Sequence, residues 1–416
     1  MNVKKRLESW KYPALLLFGI GVANLGAWIY LIALNVMVYN MGGSPLAVAA
    51  LYVIKPLATL FTNIWAGSMI DRLNKRNLMV NLDMCRAILI AVLPFLPSIW
   101  LIYTLVFFIS MASSMYEPTS MTYMTKLIPS EQRQRFNSLR SLIGSGTFLI
   151  GPAIAGILLI IGTPNFAINM NAIALFLSGI VTMVMPNLEK QGFADTTNNH
   201  LSLELLKKDW SIVINFNRRY VYVTLIYFLF SGMMVLATAM DSLELSFSKE
   251  VLSLSDSKYG FLVSIAGAGI VVGALVNTIF TKKLATSFLI GIGSVSISIG
   301  YLIYAFSNTF HMAAIGFFIL SFSLAFANTG FYTFYQNNIP VDVMGRVGSV
   351  YKLFEAILTI IATIIFGVAA QMISIQIVVI VGALAMMLIT IVLCAFNLLP
   401  SKAKFYSTVI VDSQEI

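Results

Sequence analysis

Twelve apolar stretches, each about 20 residues long, leave this 416-residue chain one solvent in which it can fold. They run near 12–39, 46–70, 78–97, 100–126, 137–162, 166–186, 219–246, 257–281, 286–306, 311–338, 346–372 and 375–399. A helix of that length crosses about 30 Å of hydrocarbon, where every backbone N–H and C=O must be satisfied within the segment. The chain is 59% hydrophobic and 10% charged, with a mean hydropathy of +0.88. Soluble domains carry about a quarter charged residues, so the bilayer is the solvent. The expected fold is an all-α membrane protein of twelve transmembrane helices in two six-helix halves.

A net charge of +9 would suggest nucleic acid in a soluble protein. Here the position of the bases decides otherwise. With the N-terminus inside, Lys249 and Lys258 are the two loop bases that fall outside, and the remaining loop bases collect on the cytoplasmic side. Both termini are therefore expected in the cytoplasm of a multi-pass, bacterial plasma-membrane protein, with no nucleic-acid partner. The first apolar segment is too long for a signal-peptide core and reads as a retained helix. Cys85 and Cys394 are solitary and His200 and His311 isolated, so no disulfide, metal site or cofactor is expected.

The longest polar stretch divides the chain into an N-terminal half (1–188), a central cytoplasmic loop (189–218), a C-terminal half (219–400) and a tail (401–416). The halves share a repeat. Ile128-Pro129, Glu131, Arg135 and Ser138 recur as Ile339-Pro340, Asp342, Arg346 and Ser349 at one offset, 340 − 129 = 211. Each proline ends a helix, and each acid precedes the next helix, where the N-terminal dipole favours negative charge. Two related six-helix halves are what alternating access requires, with the substrate site between them near the midplane.

Between spans two and three lies the basic turn Gly67-Ser-Met-Ile-Asp71-Arg72-Leu-Asn74-Lys75-Arg76. It resembles the cytoplasmic-loop signature G-x-x-x-D-R-x-x-[RK]-[RK] of the major facilitator superfamily of secondary transporters. Asn74 stands where glycine is common and is expected to take a left-handed turn conformation. Gly43-Ser44-Pro45-Leu46, Asp83 with Arg86, Pro118, and Gly151-Pro152 with Gly156 in span five extend the likeness over nearly the whole chain. Within the superfamily the chain is most similar to the macrolide-efflux and siderophore-exporter branch of drug:proton antiporters. Gly151, Pro152 and Gly156 resemble that branch's span-five motif, with Thr147 where a further glycine is usual. The resemblance implies the major facilitator fold and a gate in which Gly67, Asp71, Arg72, Lys75 and Arg76 meet the start of span eleven at Arg346.

Ionisable groups inside a membrane are functional candidates by default. Asp83 and Arg86, three apart on one helical face, read as a structural ion pair. Lys352 and Glu355 repeat that spacing and that reading in span eleven. Asp241 and Glu244, on one face of span seven, either face water or form a mouth that attracts cations. Lys55, in the middle of span two, calls for a carboxylate partner. Glu117 lies near the midplane of span four, on a face with Ser113 and Ser120, and aligns through the repeat with Asn328. Asn328, Tyr332 and Gln336 form a polar stripe on span ten. Glu117, Asp241, Glu244 and Glu355 are thus the proton-coupling candidates. Lys55, Ser113, Tyr116, Ser120, Asn328, Tyr332 and Gln336 are the cavity candidates.

The expected activity is proton-coupled efflux of an amphipathic small molecule by a monomer, with Glu117 exchanging protonation for substrate and the proton gradient as the energy source. Import or facilitation of a nutrient, and lipid or lysolipid movement, are the alternatives. No catalytic triad, metal-ligand set or nucleotide loop is present in the sequence, so an enzyme is not expected.

Overall fold

A computed structural model describes residues 3–63, 70, 73–188, 203–280 and 284–406, which contain helices, turns and no strand. The first six spans form α1 (Val3–Gly42), α2 (Pro45–Asn63), α3 (Lys75–Val92), α4 (Ile99–Leu127), α5 (Ser130–Ile161) and α6 (Pro164–Met183). Helix α7 (Leu203–Arg219) follows the central stretch and leads into α8 (Val221–Asp241) and the short α9 (Glu244–Glu250). The remaining spans are α10 (Asp256–Phe280), α11 (Thr286–Ala305), α12 (Phe310–Asn338), α13 (Val341–Met372) and α14 (Ile375–Asn397). Among the described residues twelve helices are long and apolar enough to cross a membrane.

The 211-residue offset seen around two prolines holds for the helix boundaries themselves. Pro45 and Asp256, Lys75 and Thr286, Ile99 and Phe310, Ser130 and Val341, and Pro164 and Ile375 open matching helices at that separation. Helices α4 and α12 also end in step, at Leu127 and Asn338, each just before a proline at the next helix's N-cap. The caps repeat as well. Ser44 Oγ accepts from the Ala47 N–H at 3.3 Å, and its counterpart Ser255 accepts from the Lys258 N–H at 3.3 Å. These side chains satisfy N–H groups left free at a helix start. Gly43, at φ +60, turns the chain from α1 into α2 in a conformation that glycine adopts at little cost.

Asn74 is extended, at φ −64 and ψ 117, and not left-handed. Its side chain is the N-cap of α3, accepting from the Asn77 N–H at 3.1 Å. Capping is the stronger demand on an asparagine that precedes an 18-residue helix. Span seven is also shorter than its apolar run suggested. Ser242 donates to the Ala239 carbonyl at 2.7 Å, a local bond that competes with the helix and ends α8. Asp241 therefore closes one helix and Glu244 opens another, so they do not share a continuous helical face.

The chain forms two compact units: Met1–Phe193 with Ser248–Gly267, and Ala194–Phe247 with Ala268–Ile416. In the first, α1 packs on α5 and α6, α3 joins α4 to α6, and α2 lies along α4. In the second, α11 packs on α12 and α14, and α8 lies against α13 and α14. Helix α7 turns Val213 and Phe216 inward and leaves Ile214 exposed.

Candidate functional site

In the first unit the ionisable side chains divide between a closed network and an open position. Asp83 on α3 has no exposed surface. One carboxylate oxygen pairs with Arg86, and the other accepts from Ser178 on α6 at 3.0 Å. Arg86 also donates to Ser113 on α4 at 3.4 Å and lies 4.5 Å from the centre of the Tyr116 ring. Three helices are thus joined around one buried charge pair. Ser113 and Tyr116, expected to line a cavity, belong to this packing, and Ser120 is buried. Ser178 was missed because a lone serine on an apolar helix carries no sequence signal of its partner.

Glu117 is exposed, and neither a hydrogen bond nor an ion pair holds it among the described residues. The expected partner, Lys55, is exposed too, and does not reach it. Helices α2 and α4 run parallel, fixed by Tyr103 O–H donating to the Ala47 carbonyl at 2.7 Å and by the Thr59 and Ser114 hydroxyls 2.8 Å apart. Those contacts join residues 56 and 55 apart in sequence, which sets Lys55 level with Ser110. Glu117 lies about 10 Å further along.

The likeness to an antiporter motif in span five falls on packing positions. A Cβ on Gly151 would sit 2.5 Å from Trp28 Cβ on α1. Pro152 and Gly156 face the opening turns of α10, where a Cβ on Gly260 would lie 2.7 Å from the Pro152 carbonyl and 2.9 Å from Gly156 Cα. Further along, Ser264 donates to the Leu149 carbonyl at 2.5 Å, and a Cβ on Gly267 would meet Leu149 Cα at 2.6 Å. Gly260, Ser264 and Gly267 form a small-residue stripe of the kind that lets membrane helices touch backbone to backbone. Their spacing was readable in the sequence; their partner was not. Nearby, Lys249 donates to Asn40 at 2.9 Å and pairs with Asp256 at 2.7 Å, so this base on the expected outer side is locally neutralised.

Of the basic turn, Gly67, Asp71 and Arg72 lie outside the described residues. Lys75 is buried and donates to the Leu73 carbonyl at 2.8 Å, while Arg76 donates to the Met185 carbonyl at 3.1 Å. Both bases anchor the start of α3, and Arg76 joins it to the end of α6. Arg346 near the start of α13 is exposed.

The second unit holds the other proton-coupling candidates, Asp241, Glu244 and Glu355. Asp241 does not simply face water: it accepts from the Tyr301 hydroxyl of α11 at 2.7 Å. Glu355 and Lys352 do not form the expected ion pair. Glu355 accepts from Ser231 of α8 at 3.4 Å, and Lys352 is exposed. Tyr227 stands against Tyr351 at 4.4 Å between ring centres and against Tyr335 at 5.9 Å, building an aromatic wall from α8, α12 and α13. Along α12, Asn328 is half-buried, whereas Tyr332 and Gln336 are exposed. No group of three metal-ligating side chains occurs among the described residues.

Among the described residues, twelve membrane-length helices whose starts repeat at one offset define a multi-pass membrane protein. The model of the Major Facilitator Superfamily matches residues 16–363, and the chain belongs to that family. It is 22% identical over 377 residues to the "Uncharacterized MFS-type transporter YfiS" of Bacillus subtilis (strain 168), covering 85% of this chain and 86% of that one. Among solved structures it is similar to the nucleoside transporter NupG (TM-score 0.73, 13% identity, 94% of this chain and 100% of that one). The peptide transporter POT in complex with sulfate is similar too (TM-score 0.73, 13% identity, 95% and 96%). So is an inward-facing bacterial homolog of the human lysosomal transporter Spinster (TM-score 0.70, 11% identity, 95% and 98%). At these identities the likeness concerns the fold.

Proposed function

We propose that this protein is a proton-coupled exporter of an amphipathic small molecule, working by alternating access with Glu117 as the coupling carboxylate. One observation carries the reading. Glu117 stands ten residues before the end of α4, about 15 Å along the helix, exposed and without an ion-pair partner among the described residues. A carboxylate held at that depth is costly unless water or a proton reaches it. Its repeat counterpart, Asn328, is polar but not ionisable, so the proton would be carried in one half only.

In everted vesicles given a macrolide probe such as erythromycin in the external medium, Glu117→Gln is expected to lower inside-acid-driven accumulation at least tenfold while downhill equilibration persists. Glutamine keeps the shape and mimics the protonated acid. Full gradient-driven transport by a well-expressed Glu117→Gln protein would refute the role and turn attention to Asp241, Glu244 and Glu355.

The same proposal places both termini in the cytoplasm. In a protein lacking Cys85 and Cys394, Ser253→Cys, at an exposed turn, is expected to react with an impermeant thiol reagent added outside. Asn198→Cys is expected to stay unlabelled until the membrane is opened. The reverse pattern would invert the topology.

A further inference from the structure

Between α11 and α12 runs a groove of about 150 Å³, lined by Phe288, Ile292, Gly293, Ser296, Ser323 and Phe326, among others. Its volume is well below the 300–1,000 Å³ or so of sites for drug-sized molecules, so it does not suit the transported substrate. Its walls are aromatic and aliphatic: Phe288 and Ile292 are 43% and 38% exposed, and Phe322 and Phe326 have ring centres 5.2 Å apart. The floor is kept low by small residues. At Gly293 a Cβ would already lie 3.1 Å from the Ala327 nitrogen, so the two helices leave a slot and no bulky side chain fills it.

The helical register says which way the slot opens. At about 100° per residue, Ser323 and Phe326 point roughly 140–160° away from Asn328, the first residue of the polar stripe on the same helix. The apolar surface continues beyond the slot along both helices, through exposed Ile299 on α11 and exposed Ile315 on α12. Both helices are membrane-length and apolar. The slot is therefore continuous with surface that meets hydrocarbon.

We propose that this groove holds a short stretch of one acyl chain of a bilayer phospholipid, a lipid site separate from any transport cavity. The mostly apolar lining, broken by Ser296 and Ser323, suits methylene groups. An apolar slot left empty against lipid would forfeit its dispersion contacts on one side.

The test uses the full-length protein, delipidated in maltoside detergent and titrated with palmitoyl-oleoyl-phosphatidylglycerol, with retained lipid counted by native mass spectrometry. Wild-type protein is expected to keep one lipid under activation that strips the rest. Ser323→Phe and Ser296→Leu, which fill the groove from different helices, are expected to lower that retention at least fivefold. Wild-type protein that keeps no lipid overturns the proposal. So does either filled variant that keeps the lipid as wild type does while unfolding at the wild-type temperature.

Discussion

Asp83→Ala is expected to be among the most damaging single changes in the chain, because it leaves Arg86 buried without its counter-charge. Arg86 is only 12% exposed at its side chain and has been drawn in by Asp83, Ser113 and the Tyr116 ring. Removing one partner of such a pair costs about 3–5 kcal/mol, against a total stability of about 5–15 kcal/mol for a typical domain. The expected result is a large loss of monodisperse protein on size-exclusion chromatography, with a lowered unfolding temperature in what remains. Pairing the change with Arg86→Met removes the stranded charge and should recover much of the loss. Wild-type yield and unfolding temperature for Asp83→Ala alone would show that the network contributes little.

Gly260→Leu is expected to be nearly as severe, for a steric reason. Even a methyl group there would press on the Pro152 carbonyl at 2.7 Å and Gly156 Cα at 2.9 Å. Both obstacles are backbone, so α5 and α10 must part; overpacking of this kind costs about 1–3 kcal/mol or more. The unfolding temperature should fall and transport should be lost, with Gly260→Ala intermediate. Gly146→Leu on the same α5 is the control, since nothing lies within 4 Å of its Cβ position. Equal behaviour of Gly260→Leu and Gly146→Leu would show that close approach of the two helices is not required.

How far the site could be read without coordinates differs from residue to residue. The Asp83–Arg86 pair was legible because both members lie one turn apart on one helix, where i and i+3 are neighbours. Lys352 and Glu355 have the same spacing and do not pair. The difference is Ser231, which reaches Glu355 from a helix 124 residues away in sequence. Glu117 and Lys55 looked like partners by depth alone. The parallel register of α2 and α4 offsets them by about two turns, and no local pattern encodes that offset.

The number of spans, the matching helix starts and the repeat were settled by the sequence itself. The length of an apolar run, a capping serine and a helix-ending proline act within a few residues. The recurrence of matching helix starts 211 residues apart follows from those local signals being written twice. Only the tertiary structure decided which charges are satisfied, and by what. Ser178 reaches Asp83 across 95 residues of chain, and Tyr301 reaches Asp241 across 60. Such partners depend on how each helix is rotated about its axis and how far it slides along its neighbour. Rotation and slide are set by side-chain shape at close contacts such as Gly260 against Pro152, where hydrophobicity is the same for every angle and only packing tells one from another.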